Sequence, residues 1–202
     1  MLCFCGANGT LGLPINFIHQ WLGRLPASLV YIKDFRDLSG GCGFPTLGPD
    51  RSSAVAGLRR IADDINARRI FTLGSSLGGF AALYYGLALD AVAVLSLAGA
   101  TDLTRDFVET VGPLQKRYLN LYKQAPDYTV NLRDWYAAAP RPPHVLLAYS
   151  AGNPRDRWQA ERIAGLADVE LLAVEYPEHN VVDPLIRQGK FLPLLHRLLS
   201  KE

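Results

Sequence analysis

Short, uniformly apolar runs alternate along the chain with longer segments in which apolar residues recur at helical spacing. The runs predict six strands, at Leu2–Cys5, Leu29–Asp34, Ile70–Gly74, Ala91–Ala98, His144–Ser150 and Val169–Glu175. Strands that are apolar throughout are typical of a sheet covered on both faces, and helical segments between strands indicate parallel crossovers. The pattern predicts an α/β fold with a doubly wound, mainly parallel six-stranded sheet and helices on both faces.

Helical spacing predicts six helices, at Pro14–Leu22, Pro49–Ala67, Leu77–Leu87, Thr104–Lys123, Asp156–Ala167 and Asp183–Ser200. No linker, repeat or low-complexity segment divides the chain, so residues 1–202 are expected to form one domain. Residues 100–143 make an unusually long connection, and long connections are often functional. We therefore treat this stretch as a candidate lid segment within the domain.

Composition and charge exclude several classes of function. The chain has 202 residues, and 21 Lys and Arg stand against 19 Asp and Glu. A charge this balanced argues against nucleic acid as a partner, because phosphate binding needs clustered cations. No apolar run reaches the roughly 18 residues of a membrane span. The first residues lack the basic region of a signal peptide, so a cytoplasmic location is expected.

The three cysteines are too few for a disulfide framework. Cys3 and Cys5 lie two apart in an apolar strand, which places them on one face and favours buried, reduced thiols. A second pair of ligands, which zinc would need, is missing from the pattern. The sequence therefore predicts no metal site.

The segment Gly74-Ser75-Ser76-Leu77-Gly78 carries the strongest chemical signal, because it matches G-x-S-x-G. It follows an apolar strand and opens an Ala-rich helix, which is the context that this motif requires. A serine on so sharp a turn is strained, and glycines at both ends remove side chains that would clash. The alternative is a phosphate-binding turn, but the segment lacks the GK[ST] and G-x-G-x-x-G patterns of such turns.

In this motif and in the order of its elements, the chain resembles small members of the α/β-hydrolase superfamily that lack a cap domain. The resemblance implies that Ser76 is the nucleophile. It also implies that His179, in the loop after the last strand, is the general base. The acid is expected between them in the chain, at Asp156 after the fifth strand, with Asp102 after the fourth strand as the alternative. Asp156 has a second interpretation, as a helix N-cap.

The same resemblance implies an oxyanion hole built from two backbone amides. Leu77, directly after the nucleophile, is expected to supply one. Ala7, in the loop after the first strand, is expected to supply the other, with Asn8 as the neighbouring alternative.

A substrate pocket is expected near this loop and the candidate lid. Its candidate residues are Asn8, Tyr118, Tyr122 and Trp135. The three aromatic residues have two interpretations of equal weight. They line an acyl pocket, or they pack a crossover helix against the sheet.

The resemblance implies a serine hydrolase that needs no cofactor and cleaves a small-molecule carboxylic ester or thioester through an acyl-enzyme on Ser76. Two alternatives stay open. An acyltransferase would use the same three residues with an alcohol in place of water, and a non-catalytic domain of this fold would only bind a ligand or partner. The oligomeric state is not indicated by the sequence.

Overall fold

A six-stranded sheet forms the centre of the molecule. The structure is a computed structural model, and it describes residues 1–105, 107, 119, 122–124 and 130–201. The strands are β1 (Leu2–Phe4), β2 (Val30–Ile32), β3 (Phe71–Ser75), β4 (Ala93–Leu97), β5 (His144–Ser150) and β6 (Val169–Val174). Their order across the sheet is β2-β1-β3-β4-β5-β6, and every neighbouring pair is parallel. The predicted parallel, six-stranded sheet is confirmed.

Helices cover both faces of this sheet. Those in the described residues are α1 (Ile15–Leu22), α2 (Arg51–Asp64), α3 (Leu77–Ala88), α4 (Leu132–Ala138), α5 (Pro154–Glu161), α6 (Val182–Arg187) and α7 (Phe191–Leu199). Buried side chains of α2, α3, α4 and α5 pack on one face, and those of α1, α6 and α7 pack on the other. None of the helices within the described part of the chain is long and apolar enough to span a membrane.

Side chains of β1 show how the strands serve two cores. Leu2 and Phe4 are buried in the cluster on one face, whereas Cys3 and Cys5 are buried in the cluster on the other. Successive strand residues point to opposite faces, so an apolar strand fills both cores at once. Burial raises the pKa of Cys3 to about 12 and that of Cys5 to about 11, which keeps both thiols protonated at neutral pH.

One helix prediction differs from the structure, one helix was missed, and one prediction is largely untested. The single helix expected at Asp183–Ser200 is two helices, because the chain turns at Gly189, whose φ is +67°. Glycine in this conformation is a common helix terminator, and it separates α6 from α7. Helix α4 was not predicted. Most of the helix predicted at Thr104–Lys123 lies outside the described residues.

The register of the central strands aligns their carboxyl ends. Phe4 of β1 is paired with Gly74 of β3, and Leu97 of β4 is paired with both Ser75 of β3 and Ala148 of β5. The loops after these strands therefore leave the sheet at one edge. That edge is where open α/β sheets bind ligands.

Candidate active site

Ser76 lies between β3 and α3 in a strained conformation. Its φ is +56° and its ψ is −118°, a region that non-glycine residues rarely adopt, and its N–H donates to the Leu97 carbonyl at 2.8 Å. A Cβ at Gly74 would lie 1.9 Å from the Gly78 oxygen, and one at Gly78 would lie 2.0 Å from the Phe4 oxygen. Both glycines are therefore required by close backbone approach, as the motif predicts.

The side chains of Ser76, His179 and Asp156 form a continuous chain of hydrogen bonds. The distance from Ser76 Oγ to His179 Nε2 is 2.8 Å. His179 Nδ1 lies 2.8 Å from Asp156 Oδ1 and 2.9 Å from Oδ2. A carboxylate accepts only, so Nδ1 carries the proton and donates to Asp156. Nε2 is then left to accept from the Ser76 hydroxyl. The loops after β3, β5 and β6 bring the three predicted residues together.

Burial differs sharply along this chain of hydrogen bonds. The Asp156 side chain is 3% exposed, whereas that of His179 is 36% exposed. A buried carboxylate needs a hydrogen-bonded partner, and His179 provides it through both oxygens. The imidazole itself stays partly in reach of solvent.

Helix α5 sets the position of Asp156. Asn153 is its N-cap, and the Asn153 side-chain oxygen accepts from the N–H groups of Arg155 and Asp156 at 3.1 and 3.3 Å. The alternative role of Asp156 as the cap is therefore wrong. Asp156 lies in the first turn, where the helix dipole favours a negative charge. The helix begins at Pro154, earlier than predicted, because the cap is Asn153.

Asp102, the alternative acid, has other partners. Its carboxylate lies 3.0 Å from Arg162 Nη2 and accepts from the Thr104 N–H at 2.8 Å. Among the described residues, it makes no hydrogen bond to His179. The structure therefore places Asp102 in an ion pair with Arg162, while Asp156 contacts the histidine.

Gln159, which the sequence analysis missed, joins the Asp102 loop to α5. Its side-chain oxygen accepts from the N–H groups of Thr101 and Asp102 at 2.6 and 2.9 Å, and its amide donates to the Asp102 carbonyl at 3.1 Å. It is almost fully buried. The available signal is its spacing from Asp156, since residues three apart lie on the same helix face.

The two expected oxyanion donors border the same cavity as Ser76. Leu77 is the first residue of α3, and Ala7 is the first residue of a 3-10 turn at Ala7–Gly9. The first N–H groups of a helix have no acceptor within it, so both amides are available to a ligand. Asn8 is exposed and is not among the described residues that line this cavity, which favours Ala7 over Asn8.

The cavity has a volume of about 240 Å³. Its described walls are formed by Ala7, Ser76, Leu77, Ala98, Gly99, Ala100, Phe107, Arg155, Asp156, Gln159 and His179. The Phe107 ring stacks on Trp158, with ring centroids 4.7 Å apart. Most of the described wall is apolar, and Asp156 and Arg155 supply its charge.

The aromatic residues predicted to line the pocket lie elsewhere where the structure describes them. Tyr122 is buried, and its hydroxyl donates to the Leu103 carbonyl at 2.7 Å. Trp135 packs on Tyr84, with ring centroids 5.3 Å apart. Neither borders the cavity, so the structure does not place them in the predicted pocket. Tyr122 is buried, whereas Trp135 is 40% exposed. Tyr118 lies outside the described residues.

Across the described residues, no three His, Cys, Asp or Glu side chains are grouped so that they could bind a metal ion.

Comparison with known proteins gives a fold and no closer relationship. No protein-family model matches the chain, and no curated protein sequence matches it. Solved structures do match. A hydrolase from Pseudomonas aeruginosa is 18% identical, with a TM-score of 0.57, and the match covers 96% of this chain and 89% of that one.

Two further solved structures match with similar identity, TM-score and coverage. A meta-cleavage product hydrolase from Pseudomonas fluorescens is 11% identical, with a TM-score of 0.64, and 98% of this chain and 90% of that one are covered. A lipase-esterase related protein from Clostridium acetobutylicum is 17% identical, with a TM-score of 0.57, and the coverage is 98% and 93%. At such identity the likeness establishes the fold: this chain has the fold of the α/β-hydrolases.

Proposed function

We propose that this protein is a serine hydrolase that cleaves a carboxylic ester or thioester through an acyl-enzyme on Ser76. One observation carries the proposal: hydrogen bonds run without a break from Ser76 Oγ through His179 to Asp156. A nucleophile, a base within reach of it and a group that orients the base are the parts that covalent catalysis requires. The hydrolases with the same fold support the reaction class.

In the first step, Ser76 Oγ attacks the carbonyl carbon of the substrate, and His179 Nε2 takes the hydroxyl proton. The Oγ–Nε2 distance of 2.8 Å is already that of a hydrogen bond suited to this transfer. Asp156 keeps the other ring nitrogen protonated and stabilises the imidazolium that forms, without taking the proton itself.

Negative charge then develops on the former carbonyl oxygen. The N–H groups of Leu77 and Ala7 are the donors proposed to hold it. Leu77 also opens α3, and the positive end of a helix dipole favours an anion at that place. Collapse of this intermediate expels the alcohol or thiol, which receives its proton from His179.

Water completes the reaction. His179 Nε2 removes a proton from a water molecule, whose oxygen attacks the acyl carbon. The ester bond to Ser76 breaks, Ser76 Oγ recovers a proton from His179, and the acid is released. The exposure of the His179 side chain gives water a route to this atom. Acyl transfer would differ only in that an alcohol replaces the water.

Labelling with a fluorophosphonate probe tests the proposal. The probe should modify Ser76 of the wild-type protein, located by mass spectrometry of the peptide, and Ser76→Ala should abolish labelling. Ser75→Ala is the matched control, because Ser75 is buried at the end of β3 and does not border the cavity. A folded wild-type protein that takes no label at Ser76 would instead favour a non-catalytic binding domain.

A further inference from the structure

Arg155 brings a permanent positive charge to the cavity that holds the triad. It is the only Lys or Arg among the described residues that line this cavity. Its side chain is 35% exposed, and its Nε atom lies 4.0 Å from Asp156 Oδ1. The guanidinium therefore lies beside the triad, at the mouth of the cavity rather than deep in the core.

Neighbouring arginines are held by hydrogen bonds or a close ion pair, whereas Arg155 makes only the long ion pair with Asp156. Arg157 donates to the Ala151 carbonyl, and Arg162 pairs with the Asp102 carboxylate at 3.0 Å. Within the described part of the chain, the Arg155 side chain donates no hydrogen bond, because 4.0 Å exceeds the range of one. Its five N–H donors are thus left for solvent or a ligand.

The ion pair with Asp156 is too long for a hydrogen bond, so it does not use the N–H donors of Arg155. Both oxygens of the Asp156 carboxylate already accept from His179 at 2.8 and 2.9 Å. The cavity that Arg155 borders also has apolar wall residues, among them Leu77, Ala98 and Phe107. A planar fork of donors in such surroundings matches a carboxylate, which it can bind through two parallel hydrogen bonds.

We propose that Arg155 determines specificity by binding a carboxylate of the substrate, so that the preferred substrate is a short ester or thioester with a second, acidic group. This inference rests on the proposed function and narrows its substrate class. The small cavity favours a short chain, since pockets for larger ligands are about 300–1,000 Å³. The carboxylate belongs either to the acyl chain or to the leaving group.

Two matched substrate pairs separate these two sources. For the acyl chain, p-nitrophenyl hemiglutarate is compared with p-nitrophenyl valerate, which has the same number of acyl carbons and no charge. For the leaving group, 3-acetoxybenzoate is compared with 3-acetoxybenzamide. The readout is the ratio of kcat/KM for the acidic member to that for the neutral member, which cancels changes that affect all esters equally.

Three variants are compared with the wild type. Arg155→Gln removes the charge, Arg155→Lys keeps it without the planar fork, and Arg60→Gln removes an exposed charge on α2 as the control. We expect Arg155→Gln to lower the ratio for one pair by about 10- to 100-fold, the effect of losing a hydrogen bond to a charged group. Arg155→Lys should be intermediate, and Arg60→Gln should keep the wild-type ratio.

Binding of glutarate, measured by calorimetry on Ser76→Ala protein, tests the inference without any chemistry. Adding Arg155→Gln to this protein should weaken glutarate binding by about tenfold or more. If no ester is hydrolysed and no probe labels Ser76, the proposed function fails, and this measurement alone decides about Arg155. Unchanged substrate ratios together with unchanged glutarate binding overturn the inference while leaving the hydrolase proposal intact.

Discussion

Asp102 and Asp156 follow neighbouring strands of the same sheet and are equally buried, yet their partners differ. Counted over the whole residue, Asp102 is 3% exposed and Asp156 is 5% exposed. Asp156 contacts His179, a group that can gain and lose a proton, whereas Asp102 contacts Arg162, which stays charged. The partner rather than the burial therefore separates a carboxylate suited to catalysis from one suited to holding two elements together.

Helix α5 carries Asp156 itself and the two residues that contact the Asp102 loop. Asp156 lies in its first turn, Gln159 binds the backbone of the Asp102 loop, and Arg162, the C-cap of the helix, pairs with the Asp102 carboxylate. A shift of this helix would therefore move the acid away from His179. The Asp102 region is thus a support of the site, although it contacts none of the reacting groups.

The largest expected effect comes from Asp156→Asn. The side chain keeps its shape, but it favours the wrong imidazole tautomer, which costs about 10⁴ in kcat in the serine-protease template. We expect a loss of this order in the hydrolysis of an activated aryl ester, measured by steady-state kinetics. A thermal melt should show a folded protein. An Asp156→Asn enzyme with more than about a tenth of the wild-type kcat, a barrier change of only ~1.4 kcal/mol, would contradict the assigned role.

Gln159→Leu should show how far the position of Asp156 on α5 depends on the hydrogen bonds to the Asp102 loop. It leaves the Thr101 and Asp102 N–H groups buried without an acceptor, at a cost of about 1–3 kcal/mol for each such group. The free energy of unfolding, measured by urea titration, should fall by at least the cost of one such group. We also expect a lower kcat, because α5 positions Asp156.

Gln159→Glu is the matched variant, because it keeps an acceptor oxygen for the two N–H groups. It should recover part of the lost stability. Equal stability of Gln159→Leu and the wild type would show that the hydrogen bonds between α5 and the Asp102 loop are not needed.

Asp102→Asn should affect stability and leave catalysis nearly intact. It removes the charge that faces Arg162, whose side chain is about one-third exposed (32%), so part of the loss is screened by solvent. We expect a loss of about 1–2 kcal/mol in the free energy of unfolding. The kcat should stay within about threefold of the wild type, a change of less than 1 kcal/mol in the barrier. A kcat loss as large as that of Asp156→Asn would reverse the assignment of the two aspartates.

Much of the site could be predicted from the sequence, because the G-x-S-x-G turn and the parallel order of the strands determine where its residues lie. Gly74 and Gly78 mark the strained turn at Ser76, and parallel strands bring the residues that follow them to one edge. The choice of Asp156 over Asp102 rested on the resemblance, and the ion pair of Asp102 with Arg162 was not predicted. Chain order allows either Asp102 or Asp156 to reach His179, and only the packing of α5 against the sheet decides.

The pocket prediction failed for a related reason. Aromatic content shows that Tyr122 and Trp135 bury area, but it does not show against what they bury it. Trp135 lies on α4, a helix that the pattern missed, and packs on Tyr84 of α3. Phe107, which does border the cavity, had no signal that distinguished it from the other aromatic residues of this segment.

The smallest expected effect is the coupling between Asp102 and Arg162, and a second ion pair makes it measurable by comparison. Arg162 Nη2 and Asp102 Oδ2 are 3.0 Å apart, as are Arg59 Nη2 and Asp90 Oδ2. The Asp102 side chain is 5% exposed, whereas that of Asp90 is 84% exposed.

Double-mutant cycles with Asp→Asn and Arg→Gln in each pair isolate the interaction energy from the other effects of each substitution. We expect about 1 kcal/mol for the Asp102 pair and close to zero for the Asp90 pair, because solvent and salt screen exposed charges. The coupling of the Asp102 pair should also change less when salt is raised. Equal coupling in the two cycles would mean that burial adds nothing to the Asp102 pair, and the link between α5 and the Asp102 loop would then rest on Gln159.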